Sequence, residues 1–189
     1  MKYADLIQFD KDVSFDSARF DAAEIVRTNS VNSAEVLNLV RRERPEVVVV
    51  SGVSILGNNL LDLLHGVPII NIHCGITPRY RGADGAFWAV VNGDWDCIGV
   101  TIHFIDKGVD TGEIILQENI QLDSNDNPRT LALKQNAAGI RLVCQAISDI
   151  KAGETLTMRR SDLDSRVYSS PTLTAYLHYR NRMKERFSL

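Results

Sequence analysis

Three residues in this chain are of types that can carry a reaction together. Asn71 and His73 stand two apart at the end of the apolar run Val67–His73, and Asp110 is held in the Gly-flanked turn Gly108-Val109-Asp110-Thr111-Gly112. An amide and an imidazole can donate to developing negative charge, and an imidazole with a carboxylate can move a proton. Side chains alternate faces along an extended segment, so Asn71 and His73 project from one side of a strand end. Open α/β sheets place their chemistry at such ends. Taken alone, an Asn and a His at this spacing more often satisfy local backbone groups. The acid in its Gly-flanked turn, between two strand-like runs, shifts the balance toward a site.

The elements that must position this trio follow from local patterning. Asn32 with Glu35 three residues on reads as a capping pair, and Val36, Leu39 and Val40 form an apolar stripe ending at Arg41–Arg44, so a helix closed by Pro45 is expected. The Val-rich run Glu46–Ser51 reads as a strand buried on both faces. A short helix over Asn59–His65 then leads through Gly66 and Pro68 into the strand that carries Asn71 and His73, an α/β crossover between parallel strands. His65, near the helix end, reads as a C-terminal cap.

After Gly82, Ala83–Asn92 reads as a helix with Trp88 in the core or at the lip of a pocket. Ile98–Ile105 alternates as a half-buried strand, with His103 on its polar, solvated face. Ile114–Ile120 is expected to pair with it antiparallel. Thr130–Lys151 reads as a long helix, capped by Asn127 or Asp126 with Pro128 in the first turn, that buries Leu131, Leu133, Ala137, Ile140, Val143, Ile147 and Ile150.

Residues 1–30 show neither the buried strand nor the Gly-rich turn that normally opens an α/β domain. Phe9, Phe15 and Phe20 are scattered among charges, and a peripheral start with one short strand near Glu24–Thr28 is expected. From Glu154 a basic, Tyr-containing extension follows, read either as a solvated helix face or as a surface for a phosphorylated acceptor. The organisation expected is a catalytic domain over 1–152 and a C-terminal basic extension over 153–189.

The 189 residues, 44% of them hydrophobic, are enough for one core, and no apolar run is long enough for a membrane span. A formal net charge of -3 offers no global attraction for nucleic acid. Three separated cysteines, Cys74, Cys97 and Cys144, fit reduced thiols, and with no signal peptide visible a cytoplasmic location is expected. Cys97 and Cys144 read as small core residues. Zinc finds no ligand spacing: Cys74 and His73 are adjacent and would point to opposite faces.

From about Val31 to Ile147 the chain resembles the formyltransferases that use N10-formyltetrahydrofolate. The matches are Val31-Asn32-Ser33, Ser51-Gly52 with Ile55-Leu56, Asn71-Ile72-His73, Pro78-Arg79-Tyr80-Arg81-Gly82, and Gly99-Val100-Thr101 leading to Gly108–Gly112. The resemblance implies an α/β Rossmann-like fold with a mostly parallel twisted sheet, and it places Asn71, His73 and Asp110 on the catalytic positions. Asn71 would donate to the oxygen of a tetrahedral intermediate, and His73 would be a second donor or an acid. Asp110 would keep His73 protonated and take up the amine proton.

Ser54, Ile55 and Leu56 with Ile105, Asp106, Lys107, Gly108 and Val109 would hold the folate, while Arg79, Tyr80, Arg81 and Trp88 would meet the acceptor. N10-formyltetrahydrofolate is thereby the expected formyl donor, and the acceptor a small amine such as an amino sugar nucleotide. Where many members have Ser-Leu-Leu-Pro, this chain has Gly75-Ile76-Thr77-Pro78, a texture that resembles less-characterised members, some of them associated with sugar modification. The absence of a C-terminal barrel disfavours tRNA as acceptor. The missing first strand would leave Glu46–Ser51 with an open edge, so pairing into a homo-oligomer or membership of a longer chain is expected. A formyltetrahydrofolate hydrolase and a non-catalytic folate-binding module are the rival readings.

Overall fold

A computed structural model describes residues 26–188 of the chain. The expected strand at Glu24–Thr28 lies partly outside these residues, and Val26–Thr28 are not in a strand. Of the expected opening segment 1–30, residues 1–25 lie outside them as well.

Helix α1 (Ala34–Glu43) is capped by Ser33, whose side chain accepts from Val36 N–H, and it ends with Arg44 in the left-handed region. Asn32 does not cap it, because both edges of its amide are taken by another loop. Its Oδ1 accepts from Gly57 N–H at 2.6 Å and its Nδ2 donates to the Ile55 carbonyl at 2.9 Å. Strand β1 (Val48–Ser51), helix α2 (Asn58–Leu63) and strand β2 (Ile69–His73) form the expected crossover, with β1 and β2 parallel.

The short strand β3 (Arg81–Gly82) and helix α3 (Gly85–Asn92) follow, then β4 (Gly99–Phe104) and β5 (Ile114–Asn119). Strand β4 runs antiparallel to both β2 and β5, giving the order β1-β2-β4-β5. The α/β class is as expected, while the described sheet is mixed, with one parallel and two antiparallel pairings. Among the described residues β1 is an edge strand. It is not buried on both faces: Val50 is inside and Val49 is 40% exposed, because the long helix α4 (Pro128–Ala152) lies over β2, β4 and β5 instead.

The cap of α4 is Asn127, one of the two residues expected. Asn127 accepts from the Arg129 and Thr130 amides, and Pro128 stands in the first turn. Its buried face differs from the expected stripe. Leu131, Gln135, Ala138, Gly139, Leu142, Val143 and Ala146 turn inward, and Ile140 is left 61% exposed. Small residues win the contact because the helix approaches the sheet closely: a Cβ on Gly139 would run into the Ile72 side chain.

The C-terminal segment is tied into the body. Strand β6 (Val167–Tyr168) pairs in parallel with β3, and helix α5 (Leu173–Phe187) buries Ala175, Tyr179 and Met183 against α3. At roughly 1.5–3 kcal/mol for each large side chain removed from water, this anchoring is substantial, and only one face of α5 is solvated. Cys97 is buried as expected. Cys144 is exposed, because it sits on the outer side of α4 next to the inward-facing Val143.

Candidate active site

Strand β2 puts Asn71 and His73 on one face, and the register of β4 sets His103 opposite Asn71 and Thr101 opposite His73. His103 is therefore not solvated. It is 1% exposed, its Nδ1 hydrogen-bonds the Phe104 carbonyl at 2.8 Å, and its Nε2 lies 3.2 Å from Asn71 Nδ2. A carbonyl can only accept, so the Nδ1 proton is fixed and Nε2 is the nitrogen turned to the site.

Asp110 arrives on the turn between β4 and β5. That turn is shaped by Asp106, which accepts from Gly108 N–H at 2.9 Å and from the Thr111 hydroxyl at 2.6 Å. Gly112 is required there because a Cβ would collide with the Phe104 carbonyl. The Asp110 carboxylate then joins several elements. Gly82 N–H of β3 donates to it at 2.8 Å and Asn71 Nδ2 at 3.2 Å, and His73 Nδ1 and His103 Nε2 each stand 3.4 Å away. Burial alone would raise its pKa; the contacts with His103 and His73 and the hydrogen bond from Gly82 N–H outweigh it and draw the carboxyl down to about 2.

Burial pushes the His73 imidazole below its ordinary value of 6.5, with Asp110 and the Tyr80 backbone only partly offsetting it. The expectation that Asp110 keeps His73 protonated is thus reversed, since desolvation of the nearly enclosed ring outweighs an acid 3.4 Å away. His73 Nε2 donates to the Tyr80 carbonyl at 2.6 Å, which leaves Nδ1 as the lone pair on the Asp110 side.

These residues open onto a cleft of about 770 Å³. Asn71, His73 and Asp110 line it together with Ser54, Ile55, Leu56 and the whole of Ile105–Val109, so every residue expected at the reacting centre and the folate wall is brought to one cavity. Ile55 is 79% exposed at its lip, and Leu56 is buried beneath.

The four expected acceptor residues do not line the cleft. Arg79 is bound to Asp94 at 2.6 Å and to Asp164, and the Tyr80 ring is buried with its hydroxyl donating to Asp94. Arg81 donates to the Val109 carbonyl at 3.3 Å, and Trp88 stacks on Tyr168. Tyr80 contributes through its carbonyl instead. Cys74, Ala83, Asp84 and Asn136 form wall that sequence reasoning missed. His103 was missed too, although Thr101 and His103 repeat the two-residue spacing of Asn71 and His73, which is the signal of a matching polar face on a paired strand.

Fold and site together define an α/β domain with an acid–base and hydrogen-bonding centre at the end of its second described strand. The family model described as formyl transferase matches residues 8–147, and the chain belongs to that family. A methionyl-tRNA formyltransferase from Chlorobium limicola is 34% identical over 150 residues, covering 79% of this chain and 46% of that protein. The chain thus spans less than half the length of that relative.

The phosphoribosylglycinamide formyltransferase of Bacillus halodurans superposes with a TM-score of 0.50 at 34% identity, over 57% of this chain and 55% of that one. The fold is shared with the formyltransferase PseJ from Anoxybacillus kamchatkensis, solved with UDP-4,6-dideoxy-4-formamido-L-AltNAc and tetrahydrofolate. That likeness has a TM-score of 0.57 at 24% identity, over 77% of this chain and 70% of that one.

Proposed function

We propose that this chain transfers the formyl group of N10-formyltetrahydrofolate to a small amine, with an amino sugar nucleotide as the favoured acceptor. The observation that carries this reading is the convergence of Asn71, His73 and Asp110 at the floor of a cleft whose wall is Ser54–Leu56 and Ile105–Val109. The apolar lip at Ile55, with the mixed apolar and polar segment Ile105–Val109 in the same cleft, suits a flat heterocycle.

In the reaction the acceptor nitrogen bonds to the formyl carbon, the bond from that carbon to N10 breaks, and one proton passes from the acceptor nitrogen to N10. Asn71 donates to the carbonyl oxygen as it gains charge. Both its protons are engaged at 3.2 Å, the long end for such bonds, so exchanging one toward the substrate costs little. His73, neutral with Nδ1 open, takes the amine proton, and ionised Asp110 stabilises the imidazolium until the proton is passed on. Arg79, Tyr80, Arg81 and Trp88 then support the acceptor side from behind the wall instead of touching the amine.

The test is turnover of N10-formyltetrahydrofolate with a panel of amino sugar nucleotides, followed by product analysis. Asn71→Ala, His73→Ala and Asp110→Ala are each expected to lower kcat by about 10²-fold or more. Ile55→Asp should weaken binding of a non-transferable folate analogue and leave the melting temperature unchanged. Formate released without formylated amine would assign a hydrolase, and full activity in all three alanine variants would sink the site.

A further inference from the structure

We propose that Gln117, held by Arg160 of the C-terminal segment, is a positioning residue for His73. This rests on the reading of His73 as the proton-transfer group of formyl transfer and names what sets its working nitrogen. Family matching stops at residue 147, and Arg160 lies beyond it.

Thr101, fully buried on β4, divides all of its hydrogen-bonding capacity between the loop that follows His73 and Gln117 of β5. Its hydroxyl donates to the Gly75 carbonyl at 2.7 Å and accepts from Thr77 N–H at 3.2 Å and from Gln117 Nε2 at 2.9 Å. The second proton of Gln117 Nε2 goes to the Thr77 carbonyl at 2.8 Å, and Gln117 Oε1 accepts from Arg160 Nη1 at 3.2 Å. The amide cannot be turned around: a carbonyl only accepts at one end, and a guanidinium only donates at the other. Asp162 holds the rest of that guanidinium, at 2.8 Å from Nε and 2.7 Å from Nη2.

The loop so clamped continues directly into the turn in which Tyr80 N–H donates to the Ile76 carbonyl at 2.9 Å. That turn aims the Tyr80 carbonyl at His73 Nε2. The carbonyl captures the Nε2 proton and leaves Nδ1 as the base facing Asp110. The titratable groups that face the ring are Asp110 from the β4–β5 turn and His103 from β4, its ring centroid 6.2 Å away. Asp110, 3.4 Å from Nδ1, draws the proton toward that nitrogen, and the shorter 2.6 Å bond to the Tyr80 carbonyl holds it on Nε2 instead. Gln117 therefore acts on the chemistry without touching substrate.

The experiment uses the full chain labelled with ¹⁵N-histidine, with His73 assigned by difference against His73→Asn, and compares Gln117→Glu, Arg160→Ala and Arg160→Lys. Gln117→Glu keeps the shape but cannot donate to the Thr77 carbonyl. In the wild type the His73 nitrogens are expected to report the Nε2–H tautomer. Gln117→Glu and Arg160→Ala should shift them toward a mixture, and Arg160→Lys should restore them in part.

With an active acceptor in hand, kcat should fall on the order of ten- to a hundred-fold with KM nearly unchanged and with the acidic limb of the pH profile displaced. Should Gln117→Glu not fold, the Arg160 pair decides by the same spectrum. Unchanged His73 signals in the folded variants overturn the proposal. Loss of all formyl transfer in the wild type would instead refute the function, and the spectrum would still judge Gln117.

Discussion

Asp110→Asn removes one charge from the point where four structural elements meet, and its cost can be worked from the carboxylate itself. Asp110 is 13% exposed, and its pKa is drawn from 3.8 down to about 2. At 1.36 kcal/mol per pH unit, that drop corresponds to about 2 kcal/mol by which the folded chain favours the ionised form. The folded value lies below the unfolded one, so the unfolded chain takes up the proton first as pH falls. The stabilisation is complete above about pH 4 and is lost as pH falls through the folded value near 2. An Asn imitates the protonated acid and turns an amide toward Gly82 N–H, so at pH 7 the variant should be less stable by about 2 kcal/mol. Between pH 4 and pH 3 this difference should narrow. Urea unfolding followed by the fluorescence of Trp88 and Trp95 at pH 7, 5, 4 and 3 measures it. Equal stability at pH 7, or a gap that does not shrink in acid, would refute the reasoning.

Burial lowers the His73 pKa, so the unfolded chain binds its proton more readily and stability should decline as pH drops below 6.5. His73→Asn should flatten that part of the stability profile in the same unfolding series. Thiol alkylation should proceed at Cys144 first. Cys74 is raised by burial and by Asp84, and Cys97 is pushed up to about 11 by burial and by Asp94. Peptide mapping after brief iodoacetamide treatment checks the order, and early labelling of Cys97 would contradict its placement in the core.

Much of the architecture was legible because it depends on short-range rules. The helix start at Asn127-Pro128, the crossover from β1 through α2 to β2, and the antiparallel β4–β5 pair all rest on caps, turns and periodicity that act within a few residues. The candidate trio was legible for the same reason: period-2 alternation puts Asn71 and His73 on one face, and a Gly-flanked acid announces a tight turn. Periodicity failed on α4, where two apolar stripes compete and local patterning cannot choose between them. The sheet chose the one with Ala138, Gly139 and Ala146, because only small residues allow the close approach.

By itself, then, the sequence determined which residue types stand at strand ends and in turns, and through them the family and the candidate trio. Tertiary structure decided their state. His103 became part of the site when the register set it opposite Asn71, and His73 lost its expected charge when burial outweighed Asp110. Tyr80 exchanged an acceptor-facing ring for a carbonyl that holds a proton, and the C-terminal segment reached the loop behind His73 through Arg160 and Gln117. Desolvation and long-range hydrogen bonds depend on what folds against a residue from distant parts of the chain, and no local pattern carries that information.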